Sequence, residues 1–163
     1  LTREELDLTI KEHKGNLLEQ VKTGIVAHGC NSLGVMGAGF AKGVKDMYPR
    51  VFDAYRARFE SHGLALGDVV WARALEDSQK RPLLAFANAI TQDRLARKAG
   101  EVVVSYEAIR EAFVTIRKVA EKTGFAVHFP LIGCGLAGGS WGIVSQLIEE
   151  SLGPTVERHL WQL

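Results

Sequence analysis

The chain has 163 residues, of which 47% are hydrophobic and 24% charged, and its formal net charge is +1. That length suits one domain with a sizeable core, and the near-zero charge gives no electrostatic ground for tight nucleic-acid or membrane-surface binding. No apolar run approaches the ~20 residues of a membrane span. No repeat, low-complexity tract or linker divides residues 1–163, which read as a single domain.

Leu6, Leu8 and Ile10 alternate with polar residues and predict a half-buried first strand, closed by a turn at Gly15-Asn16. Gly24–Gly29 reads as a short buried strand that runs into a glycine-rich loop ending at Gly39. A helical stretch from about Phe40 is interrupted near Pro49 and continues to Gly63. Asp68–Leu75 and Leu83–Asn88 predict two strands joined by a polar turn around Asp77 and Ser78. Val102, Tyr106, Ile109, Phe113, Ile116 and Ala120 step by three and four, so a helix over about 102–122 buries one face and stops at Gly124. Phe125–Ile132 predicts a buried strand, followed by a second glycine loop from Gly133 to Gly139. Ser140 is placed to cap a helix whose apolar face holds Ile143, Val144, Leu147 and Ile148, and Thr155–Leu163 predicts a last strand. Strands alternating with helices imply an α/β domain with a mixed or parallel sheet covered on both faces.

The two cysteines, Cys30 and Cys134, lack metal-site spacing and read as free thiols of a reducing compartment. The opening LTREELD has acidic residues and no signal-peptide pattern, so a cytoplasmic location is expected; the missing initiator Met allows for trimming. The histidines are scattered without carboxylates at ligand spacing, and neither a metal nor another cofactor is expected.

Both glycine loops share one grammar: buried strand, glycine turn, amphipathic helix. Bare glycine backbone and the free N–H groups of a helix start suit a phosphate or diphosphate. Neither loop is followed by a Walker lysine, the first is not GxGxxG, and neither holds a Gly-x-Ser-x-Gly elbow. A tight turn is the competing reading of each loop alone; two in one small domain favour an anion site.

The run Val26-Ala27-His28-Gly29-Cys30-Asn31 with Gly34-Val35-Met36-Gly37-Ala38-Gly39, and the run Pro130–Trp141 around Gly133-Cys134-Gly135-Leu136-Ala137-Gly138, resemble the two ligand loops of macro domains. Gly15-Asn16-Leu17-Leu18 looks like that family's opening turn, and the resemblance extends from about Leu8 to Trp161-Gln162-Leu163. It implies a three-layer α/β/α sandwich with a central mixed sheet, binding ADP-ribose or a derivative over the sheet edge. The most similar branches are the yeast-type ADP-ribose-1″-phosphate phosphatases, the terminal ADP-ribose protein glycohydrolases and the DNA ADP-ribosyl glycohydrolase antitoxins.

Carried over by position, Asn16 stands where an Asp usually meets the adenine amino group, with Leu17 beside it, and Asn31 matches the asparagine that faces the distal ribose. Gly34, Val35, Met36, Gly37, Ala38 and Gly39, with Ile132, Gly133, Cys134, Gly135, Leu136, Ala137 and Gly138, are the expected ligand-binding residues. Gln92 stands where glycohydrolases carry a lysine, and Ala137 where the terminal-glycohydrolase branch carries an acid; a glutamine cannot attack an anomeric carbon as an amine would. The leading expectation is hydrolysis of ADP-ribose 1″-phosphate to ADP-ribose and phosphate, with His28 in acid–base or phosphate-orienting work and Asp93 as a weaker candidate for orienting water. A satisfied core histidine and a surface aspartate are the competing readings. Two functional alternatives stand beside it: an ADP-ribosyl glycohydrolase acting on protein or nucleic acid, and a non-catalytic ADP-ribose binding module. Neither involves a membrane.

Overall fold

The computed structural model describes residues 9–163. In chain order the elements are β1 (Lys11–Lys14), α1 (Leu17–Gln20), β2 (Gly24–Asn31), α2 (Gly39–Met47), α3 (Pro49–His62), β3 (Val69–Glu76), β4 (Pro82–Gln92), α4 (Tyr106–Thr123), β5 (Val127–Phe129), α5 (Trp141–Leu152) and β6 (Arg158–Gln162). The strands form one six-stranded sheet in the order β1-β6-β5-β2-β4-β3. Every neighbouring pair is parallel except the β3–β4 hairpin at the edge.

Helices cover both faces, as alternation along β2 requires. Ile25 and Ala27 face a core shared with Ile109, Phe113 and Ile116 of α4 and Val144 and Ile148 of α5. Val26 points the other way, into a core shared with Leu17, Leu18, Val44 and Val51 from the α1–α3 side. The result is the expected α/β/α sandwich with a mixed sheet. Because β2, β4 and β5 run parallel at its centre, their carboxyl ends open at one edge, where doubly covered α/β sheets hold ligands.

Local chemistry sets the element boundaries. Ser105 caps α4, its Oγ accepting from Ala108 N at 3.1 Å, and Gly124 closes the helix in the left-handed region at φ 75°. The helix thus begins four residues later than the apolar stripe suggests. Val102 is half exposed, and Val104 makes a lone antiparallel bridge to Gln92. Pro49 starts α3, where its missing N–H is harmless.

Other expectations need adjusting. Of the residues expected to form the first strand, Leu6 and Leu8 lie outside those described, and Ile10 precedes a strand that spans Lys11–Lys14. The four-residue α1 was not anticipated, being too short to show a period. β4 extends to Gln92, past the polar Asn88, because it pairs on both sides with β2 and β3. β5 is only Val127–Phe129; the chain leaves the sheet at Pro130. Ser140 is the N-cap of α5 by position, but its side chain makes no capping bond, and Ile143 is 47% exposed, off the buried stripe of Val144, Ile148 and Leu152.

Candidate functional site

A cleft of about 610 Å³ opens over the carboxyl ends of β2, β4 and β5. Its volume lies within the range of small-molecule sites. One wall is the β2–α2 loop, Val35 to Gly39, continuing into Phe40 and Ala41 of α2; the opposite wall is the β5–α5 loop, Pro130 to Ala137. The floor is the end of β2 with Thr91 and Gln92 of β4, and Leu95 and Ala96 close one side. The walls nearly meet: a Cβ placed on Gly39 would lie 3.4 Å from Leu136 Cδ1. Leu136 itself is 68% exposed at the rim.

The first wall is braced from behind. Asn31 is buried, and its side chain folds back on its own loop. Oδ1 accepts from Leu33 N at 3.0 Å and Nδ2 donates to Val35 O at 3.0 Å. The Tyr55 hydroxyl of α3 donates toward Asn31 O at 2.6 Å and Oδ1 at 2.8 Å. Asn31 therefore builds the loop while also lining the cleft, leaving one amide N–H for other partners. At the end of this wall α2 begins without a side-chain cap on Ala38, and Gly39, Phe40 and Ala41 line the cleft. The first N–H groups of a helix have no partner within it, and they carry the positive end of its dipole.

The glycines divide into two kinds. Gly133 has φ 72°, and a Cβ there would strike Val104 at 2.6 Å, so the fold itself requires it. A Cβ on Gly37 or Gly135 would meet nothing within 4 Å, and neither backbone lies in the left-handed region. These two are bare toward the cleft for no reason internal to the protein.

His28 lies at the base of the cleft, only 1% exposed, with its ring against Phe40 and Phe86. Nε2 is 2.6 Å from Asn88 Oδ1. With that oxygen accepting, Nε2 carries the proton. Burial pushes the imidazole down to about 4, against the smaller upward pull of the Asn88 bond. Burial likewise pushes the Cys30 thiol up, out of thiolate range. Among the described residues lining the cleft there is no Asp, Glu, Lys or Arg, so the lining is uncharged at neutral pH.

Of the residues singled out in the sequence, His28, Asn31, Val35, Met36, Gly37, Ala38, Gly39, Ile132, Gly133, Gly135, Leu136 and Ala137 come together on this cleft. Six others lie off its lining. Asn16 caps α1, its Oδ1 accepting from Leu18 N at 3.0 Å, and Leu17 is buried in the core under that helix. Gly34 turns the first loop against the Phe59 ring. Cys134 Sγ points to Ile132 O at 3.2 Å, and Gly138, at φ 75°, packs against the backbone of Glu101. The Asp93 carboxylate is more than half exposed, 3.5 Å from the Arg94 guanidinium. Thr91, Gly29, Leu95 and Ala96 also line the cleft and were not expected there. Gly29 had a signal in sequence, as a glycine set between His28 and Cys30 in the buried run before the first loop.

No group of three or more His, Cys, Asp or Glu side chains among the described residues is disposed to hold a metal ion. No described helix is long and apolar enough to cross a membrane.

No protein-family model matches the chain, and no curated protein matches it. Solved structures do. A protein of unknown function from Bacteroides thetaiotaomicron is 27% identical with a TM-score of 0.83, covering 96% of this chain and 99% of its own. A macrodomain protein from Streptomyces coelicolor is 28% identical with a TM-score of 0.74, over 94% of this chain and 99% of its own. Thermosipho africanus DarTG, solved in complex with ADP-ribose, is 22% identical with a TM-score of 0.74, over 95% of this chain and 42% of its own. The chain has a macrodomain fold.

Proposed function

We propose that this cleft binds ADP-ribose, free or as the terminal group of an ADP-ribosylated protein or nucleic acid, and that the domain acts as a binding module for it. The observation that carries the reading is the lining. Two facing loops present glycine backbone and the uncapped start of α2 to a space of about 610 Å³, with no charged side chain among the described lining residues. Such a site suits a diphosphate held by backbone N–H groups and flanked by apolar contacts for sugar and base. The ligand class follows from the loop resemblance and from the ADP-ribose complex of the Thermosipho africanus protein of the same fold.

Hydrolysis of ADP-ribose 1″-phosphate fits less well. A general acid or base works best near the operating pH. His28 is neutral down to about pH 4, with Nε2 already engaged by Asn88. Asp93 stands outside the lining, and Gln92 directs its amide to Arg94 O at 2.8 Å. The glycohydrolase reading lacks both a lysine and an acid at the positions where the resemblance would put them, Gln92 and Ala137.

The test is calorimetric titration with ADP-ribose, followed by incubation with ADP-ribose 1″-phosphate and with ADP-ribosylated glutamate and thymidine, products being identified by mass spectrometry. Binding without product is the expected result. Silence in the calorimeter at millimolar ADP-ribose, with an unchanged melting temperature, overturns the proposal. Release of phosphate or of free ADP-ribose replaces the binding module with the corresponding hydrolase.

A further inference from the structure

Four buried side-chain polar atoms lack a hydrogen-bond partner among the described residues: Arg58 Nε, Asn88 Nδ2, Thr91 Oγ1 and Ser151 Oγ. Of these residues only Thr91 lines the cleft. It is 1% exposed. A buried hydroxyl without a partner is unfavourable, and a valine fills the same shape with no polar group to desolvate.

The position of this hydroxyl is fixed by the backbone around it. β2 pairs Cys30 with Ile90 and then Asn31 with Gln92, so Thr91 is the extra residue of a bulge in β4. Bulges re-aim side chains and recur beside functional sites. The bulge is pinned on both flanks: Thr91 O accepts from Ser105 N at 2.7 Å, and Gln92 O accepts from Ser32 N at 2.9 Å. On the neighbouring strand Gly29, paired with Ala89, approaches Thr91. A Cβ there would stand 2.8 Å from Thr91 Oγ1, so only a glycine at this position leaves the hydroxyl its room.

We infer that the Thr91 hydroxyl is a ligand-contacting group, hydrogen-bonding an oxygen of the bound molecule, either a ribose hydroxyl or a phosphoryl oxygen. The inference rests on the ADP-ribose reading and adds to it a determinant of specificity. A site that is built to pair a ligand oxygen rejects an analogue without that oxygen, because its own polar group then stays buried and unpaired.

The test compares Thr91→Val and Thr91→Ser with the parent, in urea unfolding without ligand and in calorimetric titration with ADP-ribose and with ADP. Thr91→Val is expected to be at least as stable as the parent without ligand, yet to bind ADP-ribose about tenfold more weakly. Thr91→Ser, which keeps the hydroxyl, should stay within about threefold of the parent. A loss confined to ADP-ribose assigns the contact to the terminal ribose; an equal loss with ADP assigns it to the shared portion. Equal affinity of Thr91→Val and parent overturns the contact and leaves the ADP-ribose reading standing. Lower stability of ligand-free Thr91→Val also overturns it, by showing that the hydroxyl already has a partner. A parent that does not bind ADP-ribose overturns the functional reading and this contact with it.

Discussion

Replacing Gly37 by valine separates what the fold needs from what the ligand needs. A Cβ at this position meets no atom within 4 Å, and the backbone is outside the left-handed region. The fold therefore has no objection to a side chain here. Substituting glycine at a compatible position stabilises by about 0.4–1 kcal/mol, through a less disordered unfolded chain. The cleft does object. Gly37 lies in the lining, two residues before α2, so the valine methyls occupy the space in front of the uncapped helix start. A hydrogen bond to a charged group is worth about 1.5–3 kcal/mol, and each 1.4 kcal/mol is a factor of ten. Losing one such bond from the diphosphate lowers affinity about 10- to 100-fold, and losing two lowers it beyond detection. Gly139→Ala should show the opposite pattern in stability. Its Cβ would lie 2.5 Å from Gly133 O and 2.9 Å from Val104 Cγ1, and overpacking of this kind costs about 1–3 kcal/mol. Urea unfolding and calorimetric titration with ADP-ribose, run on both variants, give the two readouts. A Gly37→Val protein that unfolds early, or that binds ADP-ribose like the parent, refutes the division of the glycines into structural and ligand-facing.

Stability should fall on the acid side because of His28. Its folded value of about 4 lies below the ordinary 6.5, so the unfolded chain takes up a proton that the folded one refuses. The contribution is complete above pH 6.5 and is lost as pH falls toward 4, on the order of 3 kcal/mol in all. His128 acts in the same direction, held down to about 4 by burial and then by His159 and His13. Urea unfolding at pH 7 and pH 4.5 measures this loss, and it should be shallower in His28→Gln; a pH-independent midpoint contradicts the buried neutral imidazole. ADP-ribose affinity, by contrast, should stay flat between pH 5 and 8, since the described lining holds no carboxylate or amine and its one histidine stays neutral. A tenfold change across that range would reveal a titrating group in the cleft. Tyr55→Phe should cost about 1–3 kcal/mol by leaving Asn31 O and Oδ1 short of a donor in the interior. It should also weaken ADP-ribose binding, although Tyr55 is not part of the lining; unchanged stability would mean that Tyr55 does not brace the loop.

Much of the fold was legible because its period was long. The stripe from Tyr106 to Ala120 fixes both the existence of α4 and its buried face. Val102 misled the start because valine belongs to either period, and only the bridge between Val104 and Gln92 shows that the chain is still extended there. The same limit hid α1, where four residues cannot express a helical repeat, and overextended β5, where apolar Leu131 and Ile132 continue the run but leave the sheet to form the cleft wall. Sheet order lay beyond reach. Nothing local to Lys11–Lys14 says that this strand pairs with β6, from the far end of the chain.

At the site, sequence reveals the backbone machinery more readily than the side-chain chemistry. Two glycine loops after two strands announce a cleft because glycine is hard to justify otherwise, but which glycine faces the ligand depends on φ and on tertiary neighbours. Gly34 and Gly138 prove to serve packing, Gly37 and Gly135 do not, and the four look alike in a row of letters. His28 invites an acid–base role until its burial is known, because the same imidazole that titrates near neutrality in water is held at about 4 beneath Phe40. In sequence Thr91 reads as a β-branched filler of an apolar strand; its meaning depends on a bulge and on the bareness of Gly29 on the neighbouring strand. The proposed cradle is written in backbone, which survives exchange of the surrounding side chains. Any reaction would be written in a few of those side chains, and at Gln92 and Ala137 they are uncharged.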